Sequence, residues 1–172
     1  MKLRIALATA AAAIAAASGA HAATANATAT ASIVAPGTLA STRDLDFGTV
    51  AKPTTGTTTV TVASAATATA TPSVSGGNGF VPTAGLARAA TFRLTGPAST
   101  GYTIATNTLS FPTAGANLTA IGSESPVAAS GTLLTLPASG FDDIYVGGHF
   151  DISPSTTPAT YSGTLTLTIN FP

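Results

Sequence analysis

Asp142, Asp143, His149 and Asp151 are the densest set of potential metal ligands in the chain. Oxygen and nitrogen donors this close in sequence raise the question of a hard-cation site, which needs several oxygens converging on one point. In an extended strand Asp143, His149 and Asp151 share a face, because alternate residues point the same way. The intervening Gly147-Gly148 pair predicts a bulge or bend that disturbs this parity. The spacing fits neither a calcium loop nor a zinc motif. The favoured reading is solvated turn carboxylates beside a surface histidine, with no metal and no cofactor. Arg43, Asp44 and Asp46 read as a local surface ion pair of little energetic weight. Arg88 and Arg93 read as scattered surface charges.

Nucleophilic chemistry has equally little support. No Gly-x-Ser-x-Gly elbow is present, and His149 is the one histidine after the N-terminal leader, so a Ser-His-Asp triad would depend on it without a supporting serine context. Paired carboxylates for glycoside cleavage are defined by their separation in space, which a sequence does not display. The absence of cysteine excludes thiol chemistry and thiolate metal sites. The expectation is a protein without enzymatic activity. Thr-x-Thr runs at Thr57-Thr59-Thr61 and Thr67-Thr69-Thr71 resemble sugar- or ice-binding faces. Such faces need a flat array, whereas sandwich sheets twist.

The chain has 172 residues and opens with a secretory signal. Lys2 and Arg4 form a positive start, Ile5 to Ala17 is apolar, and Ala20-His21-Ala22 is a small-x-small cleavage site. Residues 1–22 are therefore read as signal peptide and 23–172 as a single domain. The stretch is too short and Ala-rich to span a membrane, and no later segment approaches the required ~20 apolar residues. Without Lys2 and Arg4, four basic residues face six acidic ones, a net charge of about −2. Nucleic acid is an unsuitable partner for such a surface.

Beyond the signal the pattern is alternation. Ala25, Ala27, Ala29, Ala31 and Ile33 alternate with polar residues, and Pro36-Gly37 ends that run. Leu45-Asp46-Phe47-Gly48 reads as a short strand. Strands are also predicted at Thr57–Ala63 and at Thr67–Val74, the latter confined to an edge or broken by Pro72. Further strands are expected at Ala90–Thr95, Tyr102–Thr106, Leu109–Phe111, Asn117–Ile121, Leu133–Leu136 and Asp143–Ile152. Gly76-Gly77-Asn78-Gly79 is a turn. The last strand is the clearest, with Tyr161, Gly163, Leu165, Leu167, Ile169 and Phe171 on one face. Many short strands with Gly/Pro turns and no helical period predict an all-β, antiparallel, Ig-like sandwich. Its core would draw on Phe47, Val60, Val62, Phe92, Leu94, Ile104, Leu134, Val146, Leu165, Leu167 and Ile169.

Several segments together carry a family resemblance. TASIVAP leads to LDFGTV, ATFRLTGPASTGYTI lies mid-chain, and YVGGHFDIS and TYSGTLTLTINF come near the end. In this order, over roughly Ala29 to Phe171, they resemble the secreted bacterial family called domain of unknown function 4402. That family is similar in layout to pilin-like adhesin domains, including the spore-coat-U type. The resemblance implies a pilin-like sandwich that is exported to the periplasm, cell surface or medium. It implies a structural or adhesive envelope protein assembling by β-augmentation, in which a neighbour's extended segment fills a groove. The implied interaction strands are Ala29, Ala31 and Ile33 at the N-terminus and Gly163, Leu165, Leu167, Ile169 and Phe171 at the C-terminus. Partners would be a second subunit or a periplasmic chaperone. Two bland readings stand beside these: an ordinary first strand and an ordinary last strand. The rival function is a monomeric domain that binds carbohydrate or a surface such as cell-surface glycans.

Overall fold

A computed structural model of the chain describes residues 28, 30–31, 37–65, 71–82, 87–111, 118–124 and 131–171. The predicted signal peptide, Ala29 and Ile33 lie outside the described residues, as do Thr67 and Thr69. The described residues form nine strands and no helix, as the alternation predicts. These are β1 (Thr38–Arg43), β2 (Thr58–Val62), β3 (Ser73–Ser75), β4 (Ala90–Thr95), β5 (Gly101–Ser110), β6 (Thr119–Glu124), β7 (Leu133–Thr135), β8 (Phe141–Ile152) and β9 (Thr164–Asn170). All pairings are antiparallel. The larger sheet runs β1-β4-β8-β2-β3, with β6 also paired to β8, and the smaller runs β7-β5-β9.

β8 is the axis of the large sheet because its residues suit both faces. Ile144, Val146, Phe150 and Ile152 are buried, and Asp143, Tyr145, His149 and Asp151 take the alternate positions. The strand runs continuously through Gly147-Gly148 and its parity holds across the pair, where β8 changes partner from β4 to β2. Both glycines answer close packing. A Cβ at Gly147 would strike the backbone of Val62 to Ser64. At Gly148 it would press on Leu109, Leu45 and Phe47 at 2.8–3.0 Å.

Other expectations shift in detail. Leu45–Gly48 is not a strand; the pairing strand lies earlier, at β1, where TLASTR shows no apolar alternation. The β1–β4 ladder reappears beyond β1 as a single bridge, Asp46 to Arg88. Leu109 belongs to β5, which absorbs the separate short strand expected there. A register shift between Ile104 and Thr106 moves the inward set from Tyr102 and Ile104 to Leu109. Pro72 immediately precedes β3, which is an edge strand, as a missing backbone donor requires.

The core has two parts. One gathers Phe92, Leu94, Tyr102, Ile104, Leu136, Ile144, Val146 and Leu167, with Leu39, Leu45, Leu134, Leu165, Ile169 and Phe171 around it. The other gathers Val60, Leu118, Phe150 and Ile152, with Phe47, Val50, Phe111, Ile121 and Tyr161 around it. In the first, the buried Tyr102 hydroxyl donates to the Asp142 carboxylate across the two sheets at 2.6 Å. Burial, reinforced by that carboxylate, pushes the phenol well above its ordinary pKa, so it remains a donor.

Candidate functional site: a groove between two sheet edges

The ionisable cluster of the C-terminal third is dispersed among separate partners. Asp142 accepts from Tyr102 on the core side. Asp143 takes both arms of Arg93, Nε to Oδ1 at 2.8 Å and Nη2 to Oδ2 at 2.7 Å. That fork holds its carboxyl below the usual carboxylate range. Asp151 accepts from the Thr59 hydroxyl at 2.6 Å, and His149 Nδ1 lies 2.7 Å from Glu124 Oε1. The four side chains share no common centre. Arg93 and Arg88 are not scattered charges. Arg93 pairs across strands with Asp143, and Arg88 lies 3.6 Å from Asp46. Arg43 does not pair with its sequence neighbours; its Nε donates to the Ala89 carbonyl at 3.1 Å.

The feature that gathers many side chains is a groove of about 920 Å³. One wall is the run from Arg43 to Lys52, which continues from β1. The other is the run from Thr156 to Leu165, which leads into β9. Phe92, Leu109, Phe111, Leu118, Phe150 and Ile152 line it between the walls. Lys52 ties the walls together by donating through Nζ to the carbonyls of Pro154 at 3.0 Å and Thr156 at 3.3 Å. Three phenyl rings pack against each other here. Phe47 and Phe150 meet edge-on with centroids 4.8 Å apart, and Phe111 lies 6.0 Å from Phe150 and 6.2 Å from Phe47.

The strands flanking the groove are both edges. Among the described residues β1 pairs only with β4, and β9 only with β5. Each therefore has one row of backbone donors and acceptors without a strand partner among those residues, the template on which another chain can pair. The far ends of the two strands are pinned together, since the Phe171 ring occupies the space that a side chain at Gly37 would need.

Of the C-terminal residues expected to interact, Gly163 and Leu165 line this groove and Leu167, Ile169 and Phe171 do not. Leu165, Ile169 and Phe171 are partly buried and Leu167 is buried, all packed on the first core cluster. Gly163 precedes β9 and is exposed; a Cβ there would strike the Ser110 carbonyl and the Phe111 ring. At the N-terminus, Ala31 is exposed and belongs to no strand. The sequence reading missed Phe111 and Phe150 as groove residues, and assigned Phe47 to closed core. An inward aromatic has the same alternation whether or not a strand covers it. No helix among the described residues is long and apolar enough to cross a membrane.

Searches of curated proteins and of solved structures gave no match. A family model described as "Domain of unknown function (DUF4402)" matches residues 37–171. That span runs from the Gly37 contact to its partner Phe171 and contains both edge strands and the groove between them. The chain belongs to the domain of unknown function 4402 family.

Proposed function

We propose that this chain is a non-enzymatic, exported structural or adhesive subunit of the cell envelope that associates by strand addition. The observation that carries this reading is the groove lined in part by Phe47, Phe111 and Phe150 and flanked by two strand edges, β1 and β9. An extended segment laid there gains backbone hydrogen bonds from an edge and buries alternate side chains in the groove. The segment is Thr24–Val34 of a second subunit, with Ala29, Ala31 and Ile33 facing inward, or a periplasmic chaperone strand before assembly. Light scattering on the mature protein, with and without Ala23–Ser32, tests it. Assembly by the full mature chain and a folded, unassembled deletion variant are expected. A full-length protein that stays monomeric at high concentration without chaperone overturns the reading. So does a deletion that only lowers the melting temperature.

A monomeric glycan-binding domain is the second reading. It is favoured by Phe141, which is 42% exposed with the Arg93 guanidinium 4.8 Å from its ring centre. An open aromatic beside a fixed guanidinium–carboxylate pair suits a sugar ring.

A further inference from the structure

The face of β1-β4-β8 that points away from the core gathers paired polar groups around an exposed ring. Cross-strand register puts Thr38, Thr95 and Phe141 in one row and Ala40, Arg93 and Asp143 in the next. The Thr38 and Thr95 hydroxyls are 2.6 Å apart. Phe141 is 42% exposed, and the half-exposed Arg93 side chain holds its guanidinium over the ring. The set ends at Tyr145, the next outward residue of β8, whose cross-strand partner Thr91 is buried.

The Arg93–Asp143 fork is fixed but not saturated. Of the five guanidinium N–H donors the fork uses the one on Nε and one on Nη2, which leaves three. Each Asp143 oxygen accepts one bond in the fork and keeps a further lone pair. The pair therefore offers donors and acceptors side by side without net charge, and the two threonines add neutral hydroxyls. An anionic ligand would meet Asp143 as a like charge, and a cationic one would meet Arg93. Adjacent hydroxyls of a neutral sugar both donate and accept, and the C–H face of its ring packs on an aromatic. We infer that Thr38, Thr95, Arg93, Asp143 and Phe141 form a binding face for an uncharged saccharide with adjacent free hydroxyls. This inference rests on the glycan-binding reading above and narrows it to one face and one ligand class. It does not require a monomer: none of these residues lines the groove, so a subunit joined by strand addition keeps the face.

Electrophoresis of the mature protein through native gels containing a polysaccharide tests the inference. The probes are a mannan, a galactomannan and a β-glucan, with alginate as the anionic comparison. Retardation by at least one neutral probe and none by alginate is expected. Phe141→Ala should weaken that retardation roughly tenfold. Asp143→Asn leaves the guanidinium unpaired, so it should lose neutral binding and gain retardation by alginate. Leu133→Ala removes another exposed apolar side chain, on β7, and should behave as wild type. Retardation by none of the neutral probes overturns the inference together with the glycan-binding reading. Neutral retardation that Phe141→Ala leaves unchanged, or that Leu133→Ala abolishes equally, keeps a glycan ligand and overturns this face. Wild-type retardation by alginate overturns the uncharged class. Melting curves check that the variants fold; should Phe141→Ala not fold, Asp143→Asn decides, and neutral retardation unchanged in it overturns the inference.

Discussion

The two parts of the core are built from the same alternating strands and end differently. Around Leu94, Tyr102, Leu136 and Val146 the sheets close completely, and these side chains are at most 1% exposed. Even the polar group there is paired, Tyr102 to Asp142. Around Phe150 the surrounding side chains Phe47, Val50, Phe111 and Tyr161 are only partly buried, and the core opens into the groove. The difference lies in coverage. One region has strands of both sheets facing each other, whereas the other is walled by irregular runs that carry no ladder. The first is closed to solvent, and the second borders the groove in which the proposed partner strand would lie.

The largest expected effect contrasts neighbours on β9. Leu167→Asp puts a carboxylate into the closed region, where no partner compensates its desolvation, and should cost more than about 4 kcal/mol and unfold the domain. Leu165→Asp, on the groove wall, should lower the melting temperature and leave the domain folded. Circular-dichroism melts compare them. Equal loss in both would show that the groove is as closed as the rest of the core.

A smaller contrast uses two phenols. Tyr102→Phe leaves Asp142 without its donor and should cost about 1–3 kcal/mol in urea denaturation. Tyr161 donates to the Thr157 carbonyl at an exposed site, so Tyr161→Phe should stay within about 0.5 kcal/mol. A reversed order would erase the distinction between the two regions.

The smallest effect belongs to the surface. Arg93 lowers the Asp143 pKa, so the pair's stabilisation is present above the ordinary carboxylate value of about 4. It is lost as pH falls through the lowered value. Asp143→Asn should therefore differ slightly from wild type at pH 7 and converge with it in acid. Added salt should shrink the difference, since the pair is solvent-exposed. A difference that persists in acid would point to a packing role.

Much of the strand set was legible because each strand carried its own signal. Ala90–Thr95 is β4 residue for residue, and Thr164–Asn170 lies within the predicted last strand. Val60, Val62, Phe92, Leu94, Ile104, Val146 and Leu167 are buried as expected. Tyr102 and Leu136 were missed: Tyr102 looks amphipathic, and Leu136 sits just past the end of its strand. β1 was invisible because it is held by pairing with β4 and, being mostly exposed, carries no alternation of its own.

By itself the sequence determined the all-β class, the turns, the lack of thiol chemistry and the inward face of the last strand. Period-two patterning and glycine and proline chemistry are local, so they survive without knowledge of what packs where. Which strands lie at the edges of the described sheets was decided only by the tertiary structure. The dispersal of Asp142, Asp143, His149 and Asp151 to four partners was decided there too, as was the packing role of Gly147-Gly148. Those facts depend on residues distant in the chain. Alternation states that a side chain faces inward, but only the neighbouring sheet determines whether it meets a finished core or a groove.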